Sequence, residues 1–258
     1  LKQDRKIMLF PIISSIVTIL LFISFIIPLY FLAGIPLDAL DGASSGNVIV
    51  VNNNYLYSVL FFIYYLLSYF IVIFFNTGLI TCAHIRLNGG VPTFSDGFEN
   101  AKKHIWKIFV WALISATIGI ILRVIAERSG TVGQIITSII GMIWSLLTFF
   151  VIPVMIFENM NIVQSIKQSG YLFKKTWGEN VIGQFSMALF FMILGVIGVI
   201  PLILAFLTSS FITILLAFAL TIIYWVILAI ISSSLGGIFV AALYDYANTG
   251  KVPTVYSP

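Results

Sequence analysis

Two histidines, one cysteine and nine carboxylates are the reactive inventory of this 258-residue chain. A metal site needs these residues in clusters. His84 and His104 lie far apart in sequence. Cys82 and His84 are two positions apart and point to different faces of a helix. No metal site is expected, and Cys82 reads as a small packing residue. Nucleophilic catalysis needs a Ser or Cys with a base and an orienting acid. Neither histidine has an obvious carboxylate partner in its apolar surroundings, and no glycine-rich phosphate loop is present. The reading is therefore no catalytic residue, no cofactor and no enzyme. Transport usually leaves ionisable groups inside membrane spans, and none falls mid-span here. The polar side chains within the apolar runs are Asn76, Gln134 and Gln184, with scattered Ser and Thr. Such amides line a pore or bridge two helices. Bridging is the commoner role and is worth about 0.6–2 kcal/mol.

The elements that carry these residues follow from composition. Hydrophobic residues make up 60% of the chain and charged residues 9%, and mean hydropathy is +1.13. Soluble domains carry about 25% charge, so thirteen bases and nine acids cannot cover a water-facing surface. The apolar mass excludes disorder, and one cysteine excludes a disulfide scaffold. A span needs about 20 apolar residues. The uncharged runs, with the shorter run Ile108 to Leu122 whose flanking cations can snorkel outward, predict six helices, over 7–33, 55–86, 104–126, 131–157, 179–207 and 210–246, with a break near Pro201 and Thr208-Ser209-Ser210. Each run is apolar on every face, which excludes the alternation of barrel strands. The first run is too long for a signal peptide and reads as a retained span. The fold class is all-α, a polytopic membrane helical bundle in one domain over 1–258.

Eleven of the thirteen Lys and Arg residues fall on one side of these spans; only Arg123 and Arg128 fall on the other. That split predicts both termini in the cytoplasm of a cell-membrane protein. The net charge of +4 reads as topology rather than as a nucleic-acid footprint. The one sizeable outer loop, 34–54, holds Asp38 and Asp41 and no base. Arg123 and Glu127 stand at the spacing of a surface helix pair.

Ala101-Lys102-Lys103-His104-Ile105-Trp106 resembles Leu172-Phe173-Lys174-Lys175-Thr176-Trp177, and 1–6 holds the same place before the first span. Asn88-Gly89-Gly90-Val91-Pro92-Thr93 is echoed by 248–254. The chain reads as three helical hairpins, over about 1–90, 91–160 and 161–258. Two spans per unit make the repeats parallel, and a pseudo-three-fold bundle follows. The plainer alternative is that basic-aromatic flanks recur in any multi-spanning protein. Phe94, Phe98, Ala101, Ile105 and Ile108 step along one helical face, as do Ile162, Ile166, Ser169 and Phe173. These predict short amphipathic lead-in helices in the interface. Asp96 with Glu99 would cap the first, and Asn161 with Gln164 the second. Trp106 and Trp177 mark the depth where the chain turns into the membrane. The basic elbows, Lys102, Lys103 and Trp106 with Lys174, Lys175 and Trp177, anchor the bundle. A lipid-facing role is the sharper alternative, although two or three bases per helix fall short of the roughly 4–8 of a dedicated head-group cluster.

Glu158 follows Pro153, which should bend span four, and Glu179 opens span five. Both read as elbow fasteners reaching the lead-in lysines. Gly195 and Gly198 form one small-residue patch. Ser232, Ser233, Gly236 and Gly237 form another, with pairs at i and i+4. Small residues let helices approach in lipid, so these should join spans five and six or an oligomer.

Phe149-Phe150-Val151-Ile152-Pro153-Val154, Glu158, the 165–169 lead-in and Lys174-Lys175-Thr176-Trp177-Gly178-Glu179-Asn180 resemble the signature of a prokaryotic family of six-span membrane proteins of unknown function. The opening through Met8-Leu9-Phe10-Pro11 is similar as well. A looser likeness is to the membrane portion that precedes glycerophosphodiester phosphodiesterases. The resemblance implies a fold and a location and no activity. The expected function is a non-catalytic scaffold, accessory subunit or lipid-associated component, with membrane lipids, a homo-oligomer or a membrane complex as partners. The alternative is a channel or transporter for a small uncharged solute.

Overall fold

A computed structural model describes residues 5–32, 54–208 and 210–250. The outer loop over 34–53, Ser209 and the basic residues Lys2 and Lys251 lie outside the described residues. After a 3-10 turn, Arg5–Met8, the helices are α1 (Leu9–Leu32), α2 (Asn54–Leu87), α3 (Phe94–Lys103), α4 (Ile105–Arg128), α5 (Gly130–Leu147), α6 (Val151–Phe157), α7 (Ile162–Lys175), α8 (Trp177–Ile197), α9 (Ile200–Leu207) and α10 (Phe211–Thr249). Six stretches are long and apolar enough to cross a membrane, with α5–α6 and α8–α9 each forming one. The six predicted spans coincide with them. In lipid, backbone hydrogen bonds must close within each helix, so the apolar runs fix these elements.

Burial is concentrated in the half of the bundle that carries the lysines, here termed the basic end. The largest core joins α2, α3, α4 and α6 through Phe74, Ala101, Ile108, Trp111, Val151 and Met155. A second joins α6, α7 and α10 through Phe150, Val154, Leu172, Phe173 and Tyr244. Towards the other end, large apolar side chains such as Ile26, Phe190, Leu215 and Phe218 stand exposed. Acyl chains solvate these groups as well as a protein core does, so burial adds little there. Contacts are not shared evenly among the hairpins, because α2 packs against α1, α3, α4, α6 and α10. The pseudo-three-fold arrangement is not established by this packing.

The lead-in helices form as expected, with two corrections. The cap of α3 is Thr93, not Asp96: the Thr93 hydroxyl accepts from Asp96 N–H at 3.2 Å and Thr93 N–H donates to Asp96 Oδ2 at 2.8 Å. Asp96 is the third residue of the box and Glu99 stands outside it. Thr93 is extended (φ −107°, ψ 159°) just before the helix, and such a cap is worth about 1 kcal/mol. Ile105 does not continue the apolar face of α3 and is 46% exposed. The helix stops at Lys103 and restarts after His104, which breaks the i, i+4 register. In α7 the predicted face holds, and Asn161 Oδ1 accepts from Gln164 N–H at 2.9 Å.

The two elbows share one construction. His104 (φ −104°, ψ 16°) and Thr176 (φ −114°, ψ 26°) sit at the corners and are buried. Each ties its side chain to the carbonyl four residues earlier: His104 Nδ1 to Asn100 at 2.9 Å, Thr176 Oγ1 to Leu172 at 3.0 Å. The three hairpins also end alike, in a left-handed residue at Gly89 (φ 83°), Asn159 (φ 52°) and Gly250 (φ 69°). Glycine, or asparagine with its short polar side chain, tolerates that conformation.

Candidate functional site

Four elements enclose a cleft of about 330 Å³ in the basic half of the bundle. Ser14 of α1, Asn76 and Leu79 of α2, Phe149, Gln184 of α8 and Ser233 with Gly237 of α10 line it. Gly237 lets α10 lie close to α2. A Cβ there would stand 2.0 Å from Leu79 Cδ2 and 3.4 Å from Asn76 Oδ1, so a larger residue would force the buried Leu79 side chain to shift. Gln184 Nε2 donates to Asn180 Oδ1 one turn away in α8. Asn180 is wholly buried, and its Nδ2 has no partner among the described residues. Two carboxamides and two serine hydroxyls therefore line one apolar cleft. They offer neutral donors and acceptors, which suit orientation of an uncharged ligand rather than proton transfer.

Gln134 is not part of this cleft. It lies on the face of α5 with Thr131 and Ser138, along a separate shallow groove. Its carbonyl accepts from Ser138 Oγ at 2.7 Å. The structure thus joins Asn76 with Gln184 and leaves Gln134 apart.

A second polar cluster gathers the ends of all three hairpins. His84 Nδ1 lies 2.8 Å from Asp245 Oδ1, and the imidazole stacks on Phe157 with centroids 4.2 Å apart. Tyr244 donates to Glu158 Oε1 at 3.0 Å. The expectation that His84 lacks a carboxylate partner is corrected: the fold supplies Asp245 from the far end of the chain. His84 and Tyr244 each stand four residues before the asparagine of an echoed closure, Asn88 and Asn248, but that spacing does not point to Asp245 as the partner. Within these contacts no serine or cysteine joins the pair. Among the described residues no group of three His, Cys, Asp or Glu could hold a metal ion. Cys82 is buried against Ile7, Phe10 and Leu79.

The glutamates do not meet the lead-in lysines. Glu158 takes the Tyr244 hydroxyl, and Glu179 makes no ion pair among the described residues. Two of the lysines reach carbonyls at or just past helix ends instead. Lys107 Nζ reaches Asn159 Oδ1 at 2.6 Å and the Asn159 and Met160 carbonyls, and Lys175 Nζ reaches the Ala247 carbonyl. Lys175 thus ties α7 to α10. Lys102 stands 3.9 Å from Glu99, both more than 60% exposed, and Lys103 is exposed beside it. Trp106 is exposed and stacks on Phe109; Trp177 is exposed and meets Phe173 edge-on. Arg123 and Glu127 pair at 2.8 Å on the surface.

The small residues divide between two interfaces. Gly198 admits the rings of Tyr224 and Trp225. Tyr224 OH donates to the Leu194 carbonyl at 2.8 Å and Trp225 Nε1 to Gly195 at 3.1 Å, at the break that precedes Pro201. These contacts join spans five and six. Gly237 instead joins span six to span two, while Ser233 and Gly236 face the cleft and Ser232 is half-buried. The second patch thus meets span two at Gly237 and shares the cleft with Gln184 of span five.

Six apolar spans, interfacial elbows and an uncharged cleft define a polytopic α-helical membrane protein. Residues 55–254, from α2 through the close of α10, match a family of unknown function (DUF6159), and the chain belongs to that family. No curated protein and no solved structure matches it. The looser likeness to the membrane portion of glycerophosphodiester phosphodiesterases has no counterpart in these comparisons.

Proposed function

We propose that this chain is a multi-pass cell-membrane protein with both termini cytoplasmic, acting without catalysis as a lipid-associated scaffold or accessory subunit. One observation carries the reading. Several polar groups at the basic end join the three hairpin ends, through His84 with Asp245, Tyr244 with Glu158, and Lys107 and Lys175 with open carbonyls. Rigid closure of one end, with apolar side chains exposed around the spans, suits a body that holds lipids or a neighbouring subunit. Two measurements test it. Cysteine placed at Arg128 should react with an impermeant maleimide on intact cells, and cysteine at Lys103 should not; the reverse pattern overturns the orientation. Turnover of a defined substrate by the purified chain would overturn the non-catalytic role.

The cleft favours a second reading, a channel or transporter for a small uncharged solute. Asn76 and Gln184 face it together. Vesicles containing the chain would then swell in glycerol or urea faster than empty ones, and Asn76→Leu would remove the difference. Equal rates with and without the protein would leave the scaffold reading alone.

A further inference from the structure

The two lead-in helices end alike, yet one of them lacks a side chain that the other uses for packing. Aligning Lys102-Lys103 with Lys174-Lys175 sets Phe98 of α3 opposite Gly170 of α7. Phe98 fills its position, edge-on to Phe74 at 5.5 Å and stacked on Phe94 at 5.9 Å. Gly170 leaves its position open, and a Cβ there would meet only Leu147 Cδ2, at 3.1 Å. An apolar groove of about 560 Å³ results between α5 and α7. Ile143, Leu147, Gly170 and Phe173 wall it, and Lys174 and Trp177 stand at its basic end. Ile143, Leu147 and Trp177 are exposed.

The order of these groups along the groove is that of a phospholipid. Apolar wall runs beside a membrane span, an indole stands at the interface, and a cation lies beyond it. Lys167, two turns before Lys174 on the same face of α7, adds a second exposed cation. The other elbow offers no equivalent, because Phe98 occupies the corresponding position and Lys102 faces Glu99.

We propose that the groove between α5 and α7 binds one anionic phospholipid, its acyl chain against Ile143, Leu147 and Gly170 and its phosphate held by Lys174. The inference rests on the lipid-associated reading above and gives it a place and a lipid class. The test uses the full chain, reconstituted in bilayers of equal parts phosphatidylglycerol and phosphatidylcholine. Retained lipid is counted by native mass spectrometry after transfer to detergent. Phosphatidylglycerol should be retained over phosphatidylcholine. Lys174→Gln should lower that preference about fivefold, the factor one interfacial lysine supplies. Gly170→Phe should remove retention of both lipids, and Lys102→Gln should change nothing. Unchanged retention in Lys174→Gln overturns the proposal, as does an equal loss in Lys102→Gln. A second copy of the chain that leaves on Gly170→Phe, with no lipid counted, also overturns it. Because Lys174 is exposed, its variant reports even if Gly170→Phe does not fold. Carbonate extraction separates the two levels. A chain that stays in membranes but retains no phosphatidylglycerol refutes only the site, whereas a chain released by carbonate refutes the membrane reading as well.

Discussion

Removing the Ser169 hydroxyl should loosen the fold far more than removing that of its neighbour Ser165. Both are fully buried on one face of α7. They differ in what they serve. Span four breaks between α5 and α6: Thr148 N–H still reaches Trp144 at 3.0 Å, Phe149 falls back to Leu146 at 3.4 Å, and Val151 reaches Thr148 at 3.1 Å. Phe150 N–H turns away from the helix and donates to Ser169 Oγ at 2.9 Å. Pro153, three residues on, has no N–H with which to continue the ladder. Ser169→Ala leaves a wholly buried backbone donor unpaired, which costs about 1–3 kcal/mol, or roughly 5- to 150-fold in the unfolding equilibrium. Ser165 Oγ donates only to the Asn161 carbonyl, which the Ser165 backbone N–H already reaches at 2.8 Å. Its loss should stay within about 0.5 kcal/mol, since such back-bonding within a helix adds little. Equilibrium unfolding in mixed micelles, followed by tryptophan fluorescence, measures both variants. Equal destabilisation of the two, or a Ser169→Ala effect no larger than the error, would refute the assignment of Ser169 as the acceptor that stabilises the break.

Three further outcomes are expected. Gly237→Val should separate α10 from α2 and cost about 1–3 kcal/mol, because its Cβ would overlap Leu79, whereas Gly195→Ala, with nothing within 4 Å, should be neutral in the same assay. Asp245→Ala should cost about 1–2 kcal/mol, a charge-assisted bond discounted for the 30% exposure of the His84 side chain; a double-mutant cycle with His84→Ala that shows no coupling would make the contact idle. The α3 cap should weaken in acid. Hydrogen bonds from the Thr93 backbone and side chain hold the Asp96 carboxyl below its ordinary range. Its contribution is therefore complete above the unfolded-state value and is lost as pH falls through the lowered folded one; proteolysis of α3 that rises no more in acid for the parent chain than for Asp96→Asn would contradict this.

The spans and the lead-ins were legible from the sequence because they answer to one-dimensional physics. Uncharged runs such as 131–157 must close their own hydrogen bonds in lipid, and the stretch that forms is Gly130–Phe157. The faces of Ile162, Ile166, Ser169 and Phe173 needed only the helical period. The family resemblance rested on the same stretch, and the match over 55–254 contains it. What tertiary structure alone decided was rotation and partnership. A span that is apolar on every side carries no stripe to say which way Asn76, Gln134 and Gln184 turn, so their sorting into a shared cleft and a separate groove came from packing. Gly237 against Leu79 set the first, and the exposed face of α5 set the second. The same holds for His84 and Asp245. Their contact exists because the ends of α2, α6 and α10 converge, and convergence of helices distant in the chain is a property of the packed bundle, with no local spacing to announce it.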